Sequence, residues 1–306
     1  ANVDDMLGAS LVGRSPTDQE GIDLRLIELD GTPDKSNLGV NAVLAVSMAV
    51  AKAGAAVQNG GGGVSFWRYL AAGGEVSLPV PMFNILNGGA HASNSTDIQE
   101  FMVAPVGLAS FSEALRAGSD IYHALRGLLR EGGHNLNVGD EGGFAPTLPS
   151  NRDALELVLK AVETAGYVPG RDVYLALDVA ASELFQERAG KYLLEREGTS
   201  FTAEEMGDIY ARWVVEYPII SIEDGLDEND WTGWSNLTQR VGETVQLVGD
   251  DLLVTNTSRI QEGIDTRAAN SVLLKPNQIG TITETLQALT LARSAGWSGV
   301  MSHRSG

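Results

Sequence analysis

The chain has 306 residues, 43% of them hydrophobic, enough to bury one large barrel-sized core and a smaller companion. Its 40 acidic against 21 basic side chains give a formal charge of −19, which repels polyanions and argues against a nucleic-acid partner or an anionic membrane surface. With no cysteine, disulfides and thiolate metal sites are excluded, so a metal must be held by carboxylate, carbonyl or imidazole groups, a set that suits hard cations.

The opening Ala-Asn-Val-Asp-Asp lacks the basic-then-apolar pattern of a secretory signal. No apolar run is read as long enough to span a bilayer, so a cytoplasmic protein without a membrane span is expected. Helices are predicted over Asp18–Leu29 and Asn41–Val57, separated by the turn formers Asp30-Gly-Thr-Pro33. The glycine run Gly60–Gly63 lacks the lysine and the strand-to-helix setting of a nucleotide loop and reads as a connector. The expected division is a partial, mainly helical domain over 1–75 and a catalytic barrel over 76–306.

From residue 79 onward, short apolar runs alternate with helical stretches. The runs are Val80–Leu86, Phe101–Ala104, Val173–Leu177, Ile219–Ile222, Val245–Val248, Val272–Leu274 and Val300–Met301. Between them, Leu155, Val158, Leu159 and Val162 share a helix face, as do Met206, Ile209, Tyr210 and Trp213, and Ile282, Leu286 and Leu289. Thr202 and Glu205 are spaced as a capping box. Apolar strands alternating with helices predict a mainly parallel α/β sheet, and seven or eight of them a barrel; the count here is one short of eight.

Charge follows five successive runs: Asp178, Glu223, Asp250, Lys275 and then His303-Arg304. In a (β/α) barrel such strand ends share one mouth, where three carboxylates repel one another unless a cation lies between them; Mg²⁺ suits such oxygen ligands. A single carboxylate of this kind would be only a helix cap or a solvated loop, and the register of three is what argues for function. A lysine beside a metal-bound substrate carboxylate can act as a base, or it can simply pair with an acid.

Taken together, Asn84-Ile-Leu-Asn-Gly-Gly-Ala-His91, Asp97-Ile-Gln-Glu-Phe-Met102, Asn137-Val-Gly-Asp-Glu-Gly-Gly-Phe-Ala145, Ser221-Ile-Glu-Asp-Gly225, Gly249-Asp-Asp251, Leu273-Leu-Lys-Pro-Asn-Gln-Ile-Gly-Thr281 and Met301-Ser-His-Arg-Ser-Gly306 resemble enolase motifs in enolase order. The resemblance spans essentially the whole chain, including Asp30-Gly-Thr32 and Asn41-Ala-Val-Leu44. It implies an enolase-type (β/α)8 barrel with a ββαα start, and dehydration of 2-phosphoglycerate to phosphoenolpyruvate by a homodimer. It further implies Asp178, Glu223 and Asp250 as Mg²⁺ ligands, Lys275 as the base at C2, and Glu141 as the acid at C3 with Glu100 in support. His91, Gln99, Glu100, His303, Arg304 and Ser305 would surround the substrate, the last two at its phosphate.

Family members begin with a strand meander and a loop whose serine reaches a second Mg²⁺, and end with an eighth strand bearing a further lysine. Neither segment is found here, so a partial chain lacking both ends is expected. The competing readings are a catalytically impaired fragment, a non-catalytic binding protein with a cell-surface or secreted role, and a superfamily racemase or cycloisomerase. Against the last stand Glu141 and the His91–Glu100 loop. His123 and His134 are read as structural or surface residues, and Trp231 and Trp234 as packing residues.

Overall fold

The computed structural model describes residues 2–58, 60–92 and 94–304, which group into two compact units. The larger comprises Leu78–Leu252 with Gly263–Ser271, and the other comprises Ala1–Ser77, Leu253–Glu262 and Val272–Gly306.

In the larger unit the apolar runs carry strands β1 (Phe83–Asn87), β2 (Glu100–Ala104) and β3 (Tyr174–Asp178). Three short strands follow, β4 (Phe185–Gln186), β5 (Lys191–Leu194) and β6 (Thr199–Phe201), and then β7 (Ile219–Glu223) and β8 (Gln246–Gly249). The strands lie in the order β1-β2-β3-β7-β8, while β4-β5-β6 form a separate antiparallel sheet. β3, β7 and β8 are parallel, as the alternation with helices predicts.

β2 departs from that pattern, being antiparallel to both β1 and β3. A parallel return needs a crossover, usually a helix. Segment 88–99 instead closes on itself, Gly88 N–H donating to Gln99 O at 2.9 Å and Gly89 N–H to Thr96 O at 2.8 Å. A Cβ on Gly88 would overlap Thr96 Oγ1 and Ile98 O, so the closure requires glycine there.

Two helices, Phe111–Glu131 and Asn151–Thr164, then separate β2 from β3, giving the ββαα start. Each is capped by a serine, Ser110 or Ser150, whose side chain accepts the amide three residues on. They bury Ile121, Leu125 and Leu129, and Leu155, Val158 and Val162, against a β2 that is buried along its whole length. Each such side chain contributes about 1.5–3 kcal/mol of burial free energy. The capping box at Thr202–Glu205 is present and opens helix Ala203–Glu216, which buries Met206, Ile209 and Tyr210. Trp234 is fully buried with its Nε1–H on Asp227 O at 3.1 Å, a packing role, and His123 is exposed.

The smaller unit holds helices Gln19–Asp30 and Val40–Val57 around Leu7, Ile22, Leu26, Leu38, Val43 and Val46. The first starts at Asp18, which accepts Gly21 N–H, and stops at Gly31, whose φ of 73° only glycine adopts cheaply. The expectation that no apolar run reaches spanning length needs correction. Val40–Val57 has 18 residues and a mean hydropathy of 1.7, enough by length and composition. Six of its residues, Val43, Val46, Ser47, Ala51, Gly54 and Ala55, are buried, a third of the helix.

The same unit contains all but the first residue of β9 (Ser271–Leu274), helix Ile282–Ser294 and β10 (Ser298–Met301), with β9 beside β10. The helix start is fastened to the first helices: Asp23 Oδ2 accepts Thr283 N–H at 3.0 Å, Ser47 Oγ accepts Ile282 N–H at 3.0 Å, and Lys35 Nζ meets Glu284 at 2.9 Å. The apolar face expected for this helix is partly wrong. Leu286 is 40% exposed, and the buried stripe is Ile282, Thr285, Ala288 and Ala292, small residues that let the helix lie close.

Candidate active site

Because β2 runs against its neighbours, its first residue lies level with their last. Glu100 pairs with Asp178, and Asp178 with Glu223, so one row of the sheet carries three acids. Paired residues of adjacent strands project to the same face. All three are buried, as are Asp224 and Asp250. Gln99 Nε2 donates to Asp178 Oδ2 at 3.0 Å, and Asp178 Oδ1 accepts Ala180 N–H at 3.0 Å. Ala180 and Asp224 take left-handed φ values of 47° and 42°, so the chain turns sharply just past the ends of β3 and β7.

Burial holds the Glu223 carboxyl well above the usual carboxylate range, and the charges of Asp178, Asp224, Asp250 and Glu100 push it the same way. Asp224 is raised for the same reasons, burial first and then Asp178, Asp250 and Asp251. The amide of Asp251 opposes that shift, and the geometry favours the ionised form of Asp224: Oδ1 accepts Asp250 N–H at 2.9 Å and Oδ2 accepts Asp251 N–H at 2.8 Å. One carboxylate oxygen from each of Asp224, Asp250 and Asp251 falls within 4.8 Å of the other two. So dense a set of oxygen donors and negative charge fits a hard divalent cation.

A second group sits at the start of β2. Ligand-type atoms of His91, Glu100 and Glu141 lie within 4.8 Å of one another, with His91 Nδ1 at 3.5 Å from Glu100 Oε1. That separation is too long for a hydrogen bond, and among the described residues His91 Nδ1 is a buried nitrogen without one. Glu141 rides on a tight turn in which Gly142 N–H donates to Gly139 O and Gly139 N–H to Gly143 O. Phe144 then hydrogen-bonds along β1 through Ile85 O and Asn87 N–H, and Asp140 N–H reaches His91 O at 3.3 Å. Two carboxyls and an imidazole this close can pass a proton among themselves.

Residues 75–306 match the family described as "Enolase, C-terminal TIM barrel domain", and residues 1–70 match "Enolase, N-terminal domain". The chain belongs to the enolase family. Its mixed α/β architecture, with the ββαα start and helix-alternated strands, is that of the enolase barrel accompanied by its N-terminal domain.

Within the larger unit, the structure assembles His91, Gln99, Glu100, Glu141, Asp178, Glu223 and Asp250 from positions far apart in an enolase-like sequence. Lys275 and His303-Arg304 belong to the other unit. Lys275 follows β9, with its amide donating to Thr255 Oγ1 at 2.8 Å, and introduces the helical turn Pro276–Ile279. His303 and Arg304 follow β10 and are exposed, Arg304 donating to Asn277 Oδ1 at 3.1 Å. Ser305 lies outside the described residues. Asp224 and Asp251 stand next to expected ligands, inside the Ser-Ile-Glu-Asp-Gly and Gly-Asp-Asp motifs, and the motifs alone assign them no role.

Proposed function

We propose that the protein is an enolase in activity, dehydrating 2-phosphoglycerate reversibly to phosphoenolpyruvate as a Mg²⁺-dependent hydro-lyase of glycolysis and gluconeogenesis. The observation that supports this reading best is that Glu100, which stands in the strand-end row with Asp178 and Glu223, is also grouped with His91 and Glu141. A carboxylate site that only racemises or cycloisomerises has no need of an acid group for a departing hydroxyl.

In this reading Asp178, Glu223 and Asp250 hold Mg²⁺, which when bound supplies positive charge to offset the charge that develops on the substrate carboxylate. Lys275 takes the proton from C2, and its amine then carries that proton. Glu141 donates a proton to the C3 hydroxyl so that it leaves as water, and Glu100 and His91 keep Glu141 supplied and oriented. Gln99 steadies Asp178 through its amide, and His303, Arg304 and Ser305 receive the substrate, the guanidinium and hydroxyl at the phosphate. The same reading carries a domain boundary near 75/76 and a cytoplasmic homodimer, whose mass light scattering would report.

The test is phosphoenolpyruvate formation from 2-phosphoglycerate with Mg²⁺ and with chelator, alongside Lys275→Ala. Mg²⁺-dependent product that Lys275→Ala abolishes is expected. Activity indifferent to Mg²⁺, or intact in Lys275→Ala, would overturn the assignment.

A further inference from the structure

The turn bearing Asp250 is fastened by a buried acid that the chemistry above does not employ. Asp224 is 4% exposed, and both of its carboxylate oxygens are taken by the successive amides of Asp250 and Asp251, at 2.9 and 2.8 Å. Its own amide donates to Val248 O at 3.0 Å, and its carbonyl accepts Ala181 N–H at 2.9 Å. Asp224 thereby ties together the turn after β3, the end of β7 and the turn after β8. Its φ of 42° sets the carboxylate at the Asp250–Asp251 turn instead of along the strand.

We propose that Asp224 is a positioning residue for metal binding: a carboxylate strut that fixes the Asp250–Asp251 turn so that Asp250 faces the cation. This rests on the reading of Asp250 as a ligand. Asp224 also belongs to the oxygen cluster with Asp250 and Asp251, which would suit direct ligation. The two amide bonds favour the strut, because the buried Asp250 N–H and the part-buried Asp251 N–H need acceptors and Asp224 gives one oxygen to each. Groups that orient metal ligands in this way commonly change metal affinity about 10- to 100-fold when altered.

The decisive variant is Asp224→Asn, which keeps the shape and one oxygen but turns an NH₂ toward the second amide. Two measurements are made on the full chain: hydrogen exchange of the Asp250 and Asp251 amides in chelator, and Mg²⁺ binding by calorimetry without substrate. Expected are faster exchange at one or both amides and a Kd for Mg²⁺ raised about 10- to 100-fold. Asp23→Asn, which weakens a buried acid in the other unit, is expected to lower Tm and leave the Mg²⁺ Kd unchanged. Weaker Mg²⁺ binding with unchanged exchange would make Asp224 a ligand and overturn the strut, and faster exchange with unchanged Kd would reduce it to ordinary stabilisation. Wild-type protein that takes up no Mg²⁺ would overturn the reading of Asp250, while the metal-free exchange still judges the strut separately.

Discussion

Glu141→Gln separates the acid from everything else at the site. Glutamine is close in shape and keeps a polar tip, so the turn fixed by Gly139 N–H to Gly143 O at 2.8 Å and by Asp140 N–H to His91 O at 3.3 Å is expected to persist. On the proposed reading, what is lost is the proton for the departing hydroxyl. A positioned general acid contributes about 10²–10⁴ in rate, roughly 3–5 kcal/mol of barrier. Glu100 and His91, each with an atom within 4.8 Å, can deliver a proton less directly, which places the expected loss in kcat toward the lower half of that range. Steady-state phosphoenolpyruvate formation measures the loss, and exchange of the C2 hydrogen with solvent measures the base step alone. Exchange is expected to survive in Glu141→Gln while dehydration collapses. The double variant Glu100→Gln with Glu141→Gln is expected to lose less than the product of the single effects, as for groups acting as a unit. A kcat within about threefold of wild type, or equal loss of exchange and dehydration, would refute the assignment of Glu141 to the hydroxyl.

Gly143→Ala puts a Cβ 2.6 Å from Asn87 Oδ1 and 2.9 Å from Asn84 Oδ1, displacing the Glu141 turn; since an ångström of misplacement costs about 10²-fold, kcat should fall tenfold or more with the fold retained by circular dichroism. Glu284→Ala strands the Lys35 ammonium, only 3% exposed, and should lower stability in urea by about 3–5 kcal/mol, toward the low end because Glu284 is itself 21% exposed; Lys35→Met should cost much less. The carboxyl of Glu223 is raised on folding, so its contribution to stability is complete below the unfolded carboxylate range, about pH 4, and is lost as pH rises toward its folded value. Metal-free protein should therefore lose Tm from about pH 5 toward neutrality, and saturating Mg²⁺ should flatten that slope; Tm independent of pH in chelator would contradict it.

The strands were legible because their burial is simple. Each of the seven apolar runs holds a strand within two or three residues, and the acids at Asp178, Glu223 and Asp250 mark where the parallel strands stop. The direction of β2 was not legible from alternation alone: it depends on how Gly88 and Gly89 fold segment 88–99 back on itself, a matter of loop closure instead of periodicity. Leu286 shows a different limit. A 3.6-residue spacing places it beside Ile282, but the helix approaches through Ala288 and Ala292, and close approach by small residues leaves no apolar signal. Ser47 and Asp23 likewise look like solvent-facing residues in an apolar helix pattern, although each is buried to receive an amide of the Ile282 helix. Asp224 and Asp251 were visible as neighbours of expected ligands, but nothing in a string of residues says which acid of an adjacent pair faces the mouth and which bonds to the backbone.

The two chemical groups of the larger unit are coupled through the sheet register. A parallel β2 would have placed Glu100 at the far edge, four residues or about 13 Å along the strand from Asp178 at 3.3 Å per residue. Antiparallel pairing sets Glu100 opposite Asp178 and leaves Gln99 able to bond Asp178 directly. The same closure that reverses β2 carries His91, whose carbonyl receives the amide beside Glu141. The Gly88–Gly89 closure thus sets where Glu100, Gln99 and His91 lie relative to Asp178. A change there would reach Glu100 and His91 together, whereas a change at the Asp224 carboxylate acts first on the Asp250–Asp251 turn that follows β8.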